Sequence, residues 1–251
     1  MDLNLAGRRA LVTGGSKGIG LAVAQGLAAE GVDLHLVSRT ASDLEAAATQ
    51  IMNSHQVAVR TQAADLSDAG ARARVIEEAG DVDILINNAG AIPGGGIEEV
   101  DDDIWRAAWD LKVFGYINMT RAYYVKMKAR KEGGVIVNVA GIAGRLAMPG
   151  YIAGSSGNAS LIAFSNSLGQ ESISEGVRVV CVNPGPILTE RLIYLTKLRA
   201  ERDLGDAARW EELGDDYRLG RAGEPHEVAN LVVFLASERA SYMSGLSVDI
   251  G

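Results

Sequence analysis

Three glycines, at positions 14, 18 and 20, form the first pattern in the chain that could do chemistry. They follow the apolar run 10–12 and precede a segment whose apolar residues recur at helical spacing. A strand, a glycine turn and a helix in this order leave free backbone amides at the helix start, where they can bind a pyrophosphate. Alone, the pattern also fits a flexible surface loop.

Other side chains with metal-binding or nucleophilic chemistry are few. His35, His55 and His226 have no ligand spacing among them, so we predict no metal site. The single cysteine, Cys181, lies in an apolar run, which favours a buried, inert thiol.

Apolar runs alternate with helical segments along the whole chain, and these elements must position any site. We predict strands at 10–12, 34–37, 57–59, 82–86, 135–139, 177–182 and 246–250, and helices at 21–30, 41–52, 67–79, 104–131, 151–175 and 225–236. Alternation of this kind requires parallel strands with right-handed crossovers, and it brings the ligand-binding loops to one sheet edge. The predicted fold is a single α/β domain over 1–251, a Rossmann fold whose doubly wound parallel seven-stranded sheet carries helices on both faces.

Composition narrows the class of protein. The 251 residues are 47% hydrophobic but only 5% aromatic, which suits helices of small aliphatic residues packed on a parallel sheet. A net charge of −8 argues against nucleic-acid binding. No apolar segment is long enough to span a bilayer and no leader pattern is present, so we expect a cytoplasmic protein.

Two charged segments need an interpretation. The five acids within 98–103 are typical of a helix start, where carboxylates oppose the positive end of the dipole. The polar, Arg-containing segment 188–219 leaves the sheet as a helical excursion. It could be a lid over a site or an outer subdomain without a gating role.

Together these motifs resemble the short-chain dehydrogenase/reductase family over essentially the whole chain. The matching pieces are the glycine loop, Asp65-Leu66, Asn87-Asn88-Ala89-Gly90, Asn183-Pro184-Gly185, Gly223-Glu224-Pro225, 234–237 and Ser244-Gly245. The resemblance implies a bound nicotinamide dinucleotide. The residues it assigns to the cofactor are Gly14, Ser16, Lys17, Gly18, Ile19, Gly20, Ser38, Arg39, Asp65, Leu66, Asn88, Ala89, Gly90, Asn158, Pro184, Gly185, Ile187 and Thr189.

Charge at the end of the second strand favours NADP(H) over NAD. An acidic residue there would repel a 2′-phosphate, whereas this chain has Ser38 and Arg39, which can donate to it. Lys17 in the glycine loop can add a second cation. The alternative is that Arg39 and Lys17 are solvated surface cations.

The chain departs from the family at the chemistry. The resemblance implies an asparagine, a serine, a tyrosine and a lysine, and the four corresponding positions hold Lys112, Gly141, Gly154 and Asn158. Glycine has no side chain with which to transfer a proton, and asparagine has no charge to lower a phenol's pKa. The family's usual mechanism therefore cannot operate.

Lysine and asparagine have exchanged places relative to the family pattern. We hypothesise that Lys112 crosses between its neighbouring helices and brings its ammonium within reach of Asn158 or the nicotinamide ribose. The alternative is an ammonium that points to solvent or into a subunit contact.

Other replacement proton donors can be named. Tyr151 lies one helical turn before Gly154, where it could donate a proton or simply line the pocket, and Ser155 is adjacent to Gly154. Tyr124 and Lys128 have the family's tyrosine-to-lysine spacing, but they precede the fifth strand, so we expect them at the surface or in an interface.

Three functions remain open from the sequence. The first is an NADP(H)-dependent oxidoreductase with a divergent site, acting on an unidentified carbonyl or alcohol substrate, with glycines at 141 and 154 that leave room for a bulky one. The second is an inactive NADP(H)-binding sensor or partner subunit, and the third is a lyase or isomerase that uses the same pocket. The family resemblance also implies a homodimer or homotetramer that binds a small-molecule substrate.

Overall fold

The protein is described by a computed structural model that covers residues 1–130, 132–214, 217 and 219–251. Seven parallel strands form one sheet in the order β3-β2-β1-β4-β5-β6-β7. Their bounds are β1 Arg9–Thr13, β2 Asp33–Ser38, β3 Val59–Ala63, β4 Ile84–Asn87, β5 Gly134–Val139, β6 Val177–Pro184 and β7 Leu246–Ile250. The predicted Rossmann fold is confirmed. Strand β3 begins later than predicted, because it is the polar edge strand and its apolar run at 57–59 lies mostly before it.

The α-helices follow the predicted order. They are α1 Gly18–Ala29, α2 Ala41–Ser54, α3 Ala69–Ala79, α4 Asp102–Trp109, α5 Gly115–Lys128, α6 Ile152–Ser172, α7 Glu190–Leu204 and α8 Pro225–Ala236. The excursion predicted at 188–219 consists of α7 and a 3-10 segment at Ala207–Gly214, while 215, 216 and 218 lie outside the described residues.

The long helix predicted at 104–131 is interrupted, and its last residue lies outside the described part of the chain. A π-helical segment, Asp110–Phe114, separates α4 from α5. Asp101 caps α4 by accepting from the amide of Ile104 at 2.8 Å. The acidic run therefore starts the helix as expected, although its first two acids precede it.

The core lies on both faces of the sheet. Adjacent strand residues point to opposite sides, so Val12 packs towards α1 and α8 whereas Leu11 packs towards α5. Burial on both faces explains why the strands are continuous apolar runs. Among the described residues, no helix has both the length and the apolar character needed to cross a membrane.

A buried polar network joins strands and helices beneath the carboxyl edge of the sheet. Asn87 donates to Asn138 at 2.8 Å and to Thr120 at 3.0 Å, and Asn138 donates to Ser165 at 2.9 Å. Asn138 and its partners are fully buried. The network fixes β4 and β5 relative to α5 and α6, and the loops after these strands form part of the site.

Candidate active site

A cleft of about 1900 Å³ opens at the carboxyl ends of the strands. Its walls include the glycine loop, the loops after β4, β5 and β6, and the inner side of α7. This is where open parallel sheets bind ligands, because the helix N-termini and the loop amides converge there.

The glycine loop is packed closely against the start of α1. Gly14 has a φ of +66°, and a Cβ on Gly20 would lie 2.1 Å from the Gly14 carbonyl oxygen. The Asn88 amide donates to the carbonyls of Thr13 and Gly14, each at 3.2 Å. The glycine pattern is therefore a tightly held turn rather than a flexible loop, and its residues line the cleft.

Most residues assigned to the cofactor line this cleft. They are Gly14, Ser16, Lys17, Gly18, Ile19, Ser38, Arg39, Leu66, Asn88, Ala89, Gly90, Asn158, Pro184, Gly185, Ile187 and Thr189. Gly20 and Asp65 are not part of the wall. Gly20 instead allows the close helix packing, and the Asp65 carboxylate accepts from the amide and hydroxyl of Ser67. These hydrogen bonds, with the Arg39 charge as a smaller cause, lower the pKa of Asp65.

The groups predicted to select NADP(H) lie at one end of the cleft. Arg39 is exposed and forms no ion pair with the described residues, and the Ser38 hydroxyl is buried without a partner among them. Lys17 is placed differently from expectation. Its ammonium lies 3.3 Å from Asp43 and 3.6 Å from Glu190, so its charge is already balanced by carboxylates.

The space beside Gly154, where the family resemblance predicts a tyrosine, is filled by another residue. A Cβ on Gly154 would lie 2.0 Å from Cε1 of Tyr151, so the Tyr151 ring covers the place where a side chain at 154 would begin. The ring and its hydroxyl face the cleft, and Gly154 is covered. Burial raises the pKa of Tyr151, and the nearby Arg191 guanidinium opposes that rise.

Lys112 points into the cleft and not into solvent. Its ammonium donates to the carbonyl of Ala140 at 2.8 Å, directly before the vacant serine position at Gly141. Its stem passes Gly90, where a Cβ would lie 2.9 Å from Lys112 Cδ. Burial, with a smaller contribution from the Arg191 charge, lowers the pKa of Lys112 to about 8.

Of the two partners expected for Lys112, Asn158 does not accept its hydrogen bond, and the nicotinamide ribose stays a prediction. Asn158 is buried, and its Oδ1 has no hydrogen-bond partner among the described residues. The amide lies under Gly141, where an added Cβ would be 3.0 Å from Asn158 Nδ2. The orphaned acceptor suits a ribose hydroxyl, and the unpartnered Ser38 hydroxyl at the other end suits a phosphate oxygen, so the residues present fit a dinucleotide.

The remaining candidates lie away from the cleft. The Ser155 hydroxyl accepts from the amide of Met148 at 3.2 Å and is not part of the cleft wall. Tyr124 and Lys128 both contact Glu175 at the molecular surface. Cys181 is buried, and burial raises its pKa to about 11, as expected for an inert thiol.

Sequence reasoning missed Arg191. This residue, in the first turn of α7, donates to the carbonyl of Ile92, and its guanidinium is 5.9 Å from the Tyr194 ring centroid. It lies close enough to Tyr151 and Lys112 to affect the pKa of both. The only signal was a basic residue at the start of the excursion, and that pattern does not indicate which way a side chain points.

Comparison with known proteins identifies the family. The family model for short chain dehydrogenases matches residues 8–199. The chain belongs to the short-chain dehydrogenase family. Its similarity to individual members extends over nearly the whole chain.

Several members of the short-chain dehydrogenase family are similar to this chain. The 2-keto-3-deoxy-L-fuconate dehydrogenase of Xanthomonas campestris pv. campestris is 31% identical over 246 residues, covering 97% of this chain and 79% of that protein. A 3-oxoacyl-[acyl-carrier-protein] reductase of Vibrio harveyi is 32% identical, covering 99% and 97%. The structure of L-sorbose reductase from Gluconobacter frateurii, complexed with NADPH and L-sorbose, superimposes with a TM-score of 0.91 at 34% identity, covering 100% and 97%.

Proposed function

We propose that this short-chain dehydrogenase is an NADP(H)-dependent oxidoreductase in which Lys112 replaces the family's tyrosine as the proton donor and acceptor. The observation that carries the proposal is the ammonium held inside the cleft on the Ala140 carbonyl, next to the vacant positions. When bound, NADPH supplies a hydride to an electrophilic carbon. In this proposal Ser38 and Arg39 hold its 2′-phosphate, and Asn158 holds the nicotinamide ribose.

Lys112 has the properties that a general acid at neutral pH needs. A pKa of about 8 leaves most of the ammonium protonated at pH 7, yet makes it a far better donor than an exposed lysine. Its Nζ gives a proton to the substrate oxygen and takes one back in the reverse direction. Tyr151 is not the proton donor in this proposal, because its raised pKa makes it the weaker acid, and it orients the substrate instead.

The test is NADPH oxidation with a panel of ketones, aldehydes and imines. We expect the Lys112→Met variant, which keeps the stem, to lose about 10²–10⁴-fold in turnover with NADPH binding unchanged. Lys112→Arg is the matched control, because it keeps the charge but does not release a proton in this pH range. Full activity in Lys112→Met would exclude Lys112 as the donor.

A cofactor-binding protein without chemistry is the second candidate. It is favoured by the glycines at 141 and 154, which remove the family's serine and tyrosine. It predicts NADPH binding with no turnover across the panel. We further propose that the protein works in the cytoplasm as a homodimer or homotetramer, and that α7 closes over the cleft as a lid.

A further inference from the structure

The charged groups around the cleft are not evenly paired. Every described side-chain carboxylate of the cleft wall is engaged: Asp43 and Glu190 by Lys17, Asp203 by Arg199 and Arg202, Glu227 by Arg221, and Glu99 by the amide of Gly96. Within the described residues, three cations of the wall have no carboxylate partner. They are Arg39, Lys112 and Arg191.

These three cations lie in two separate places. Arg39 follows β2 at the end of the cleft that suits a 2′-phosphate. Lys112 and Arg191 line the same cleft as Gly141 and Tyr151, and they are near enough for the Arg191 charge to lower the pKa of Lys112. Lys112 and Arg191 would therefore bind a different group from the phosphate that Arg39 would bind.

Arg191 is held so that it faces the cleft. One nitrogen of its guanidinium donates to the Ile92 carbonyl, and Tyr194 lies against the cation. The remaining N–H groups of a guanidinium fork suit the two oxygens of a carboxylate. A half-buried cation pair without a counter-ion is costly in the empty cleft, and an anionic ligand would relieve that cost.

We infer that Arg191, with Lys112 beside it, binds a carboxylate of the substrate, so that the substrate is an oxo acid or hydroxy acid rather than a neutral carbonyl compound. The inference rests on the proposed function for the claim that the substrate carries a reacting carbonyl or hydroxyl group. The claim that a carboxylate binds at Arg191 does not depend on the proposed function. The bound carboxylate also balances the charge of Lys112, which raises the pKa of its ammonium and keeps it protonated at neutral pH.

The experiment measures binding apart from turnover. Calorimetry with the NADPH-saturated protein uses hexanoate, 2-oxohexanoate and 5-oxohexanoate, each beside its neutral methyl ester. We expect at least one acid to bind about tenfold or more tightly than its ester. The Arg191→Gln variant should lose that advantage and Arg191→Lys should keep part of it, while circular dichroism checks that both are folded.

Arg199→Gln is the matched control. It also removes a guanidinium from α7, but one that is paired with Asp203, and Arg202 still neutralises that carboxylate. Equal binding of acids and esters, absence of acid binding, or an undiminished advantage in Arg191→Gln would overturn the inference.

NADPH oxidation measured on the same samples separates the two proposals. Acid binding that depends on Arg191 without turnover supports the carboxylate site and contradicts the oxidoreductase. Turnover of neutral ketones without any preference for acids supports the oxidoreductase and contradicts the carboxylate site.

Discussion

At the residue scale, two glycines leave the space that two larger side chains occupy. Gly154 leaves the space that the Tyr151 ring occupies, and Gly90 leaves the space that the Lys112 stem occupies. Tyr151 and Lys112 therefore fill these spaces from positions other than 154 and 158, where the family resemblance predicts a tyrosine and a lysine. A tyrosine introduced at position 154, where the family resemblance places one, would therefore collide with the Tyr151 ring.

The first prediction concerns Gly154→Ala. In the wild-type background the new methyl group collides with the Tyr151 ring, and we expect a loss of about 1–3 kcal/mol in the free energy of unfolding. In a Tyr151→Ala background the same change should stabilise helix α6 by roughly 0.5–1 kcal/mol, because alanine is the better helix former. Urea unfolding of the wild type, the two single variants and the double variant measures whether the effect of Gly154→Ala changes sign. The same sign in both backgrounds would show that the ring does not occupy that space.

The second prediction is the pH dependence of catalysis. Lys112 must be protonated to donate, so the rate of carbonyl reduction should be constant below its pKa of about 8 and fall above it. Alcohol oxidation needs the neutral amine and should rise as the pH increases to about 8. The charged or titratable groups that face the ammonium are Arg191 and Cys181. The pH profiles of kcat/KM in both directions check this, and an unchanged alkaline limb in Lys112→Met would assign the proton to another group.

At the element scale, the π-helical segment Asp110–Phe114 decides what the long helix contributes to the site. A π turn widens the helix and changes the direction of the side chains within it. Lys112 lies in its middle and faces the end of β5, while Trp109 just before it donates to the Ala153 carbonyl at 3.1 Å. The segment thus fixes both the lysine and the start of α6.

The third prediction concerns the network beneath the loops. Replacing Asn138 by valine leaves Ser165 and one Asn87 donor without their partner in the interior, which should cost about 1–3 kcal/mol in the free energy of unfolding. We expect NADPH affinity to fall as well, because the ends of β4 and β5 are no longer held together. Unfolding in urea and a fluorescence titration measure the two effects. Ser165→Ala is the control, since it removes only the outer partner and should cost less.

At the scale of the whole molecule, the charge of the cleft differs in sign from the net charge of the chain. The chain carries a net charge of −8, which opposes the approach of anions, yet unpaired cations lie at two places in the cleft. Anion recognition here must therefore be local and short in range.

The fourth prediction is the effect of Arg39→Gln on cofactor choice. Loss of this cation should weaken NADPH binding about tenfold and leave NADH binding unchanged, because only NADPH carries the 2′-phosphate. The salt dependence of NADPH binding should also become shallower. Fluorescence titrations at two ionic strengths test both effects. Arg60→Gln, at an exposed position on β3, is the control because it changes the net charge by the same amount. An equal loss of NADPH affinity in Arg60→Gln would show that the net charge of the protein, and not a contact with Arg39, causes the effect.

The fifth prediction concerns assembly. Phe114 and Val125 are 48% and 60% exposed along the long helix, so a partner subunit would bury apolar surface there. Light scattering coupled to size exclusion should give two or four times the mass of the chain. Val125→Glu should shift the population towards smaller species, and a monomeric wild-type protein would contradict the proposal.

The sequence by itself determined the Rossmann sheet and most of the residues that line the cleft at its carboxyl edge, while the departures from the family's catalytic pattern stay a prediction. Each of these depends on local signals: apolar strands, a glycine turn, and fixed spacing between short motifs. It did not determine the interrupted helix, the ring of Tyr151 over Gly154 or the direction of Lys112. Only the tertiary structure decided those, and it alone revealed Arg191, because the direction of a long side chain depends on packing partners that are distant in sequence, such as Gly90, Ala140 and Ile92.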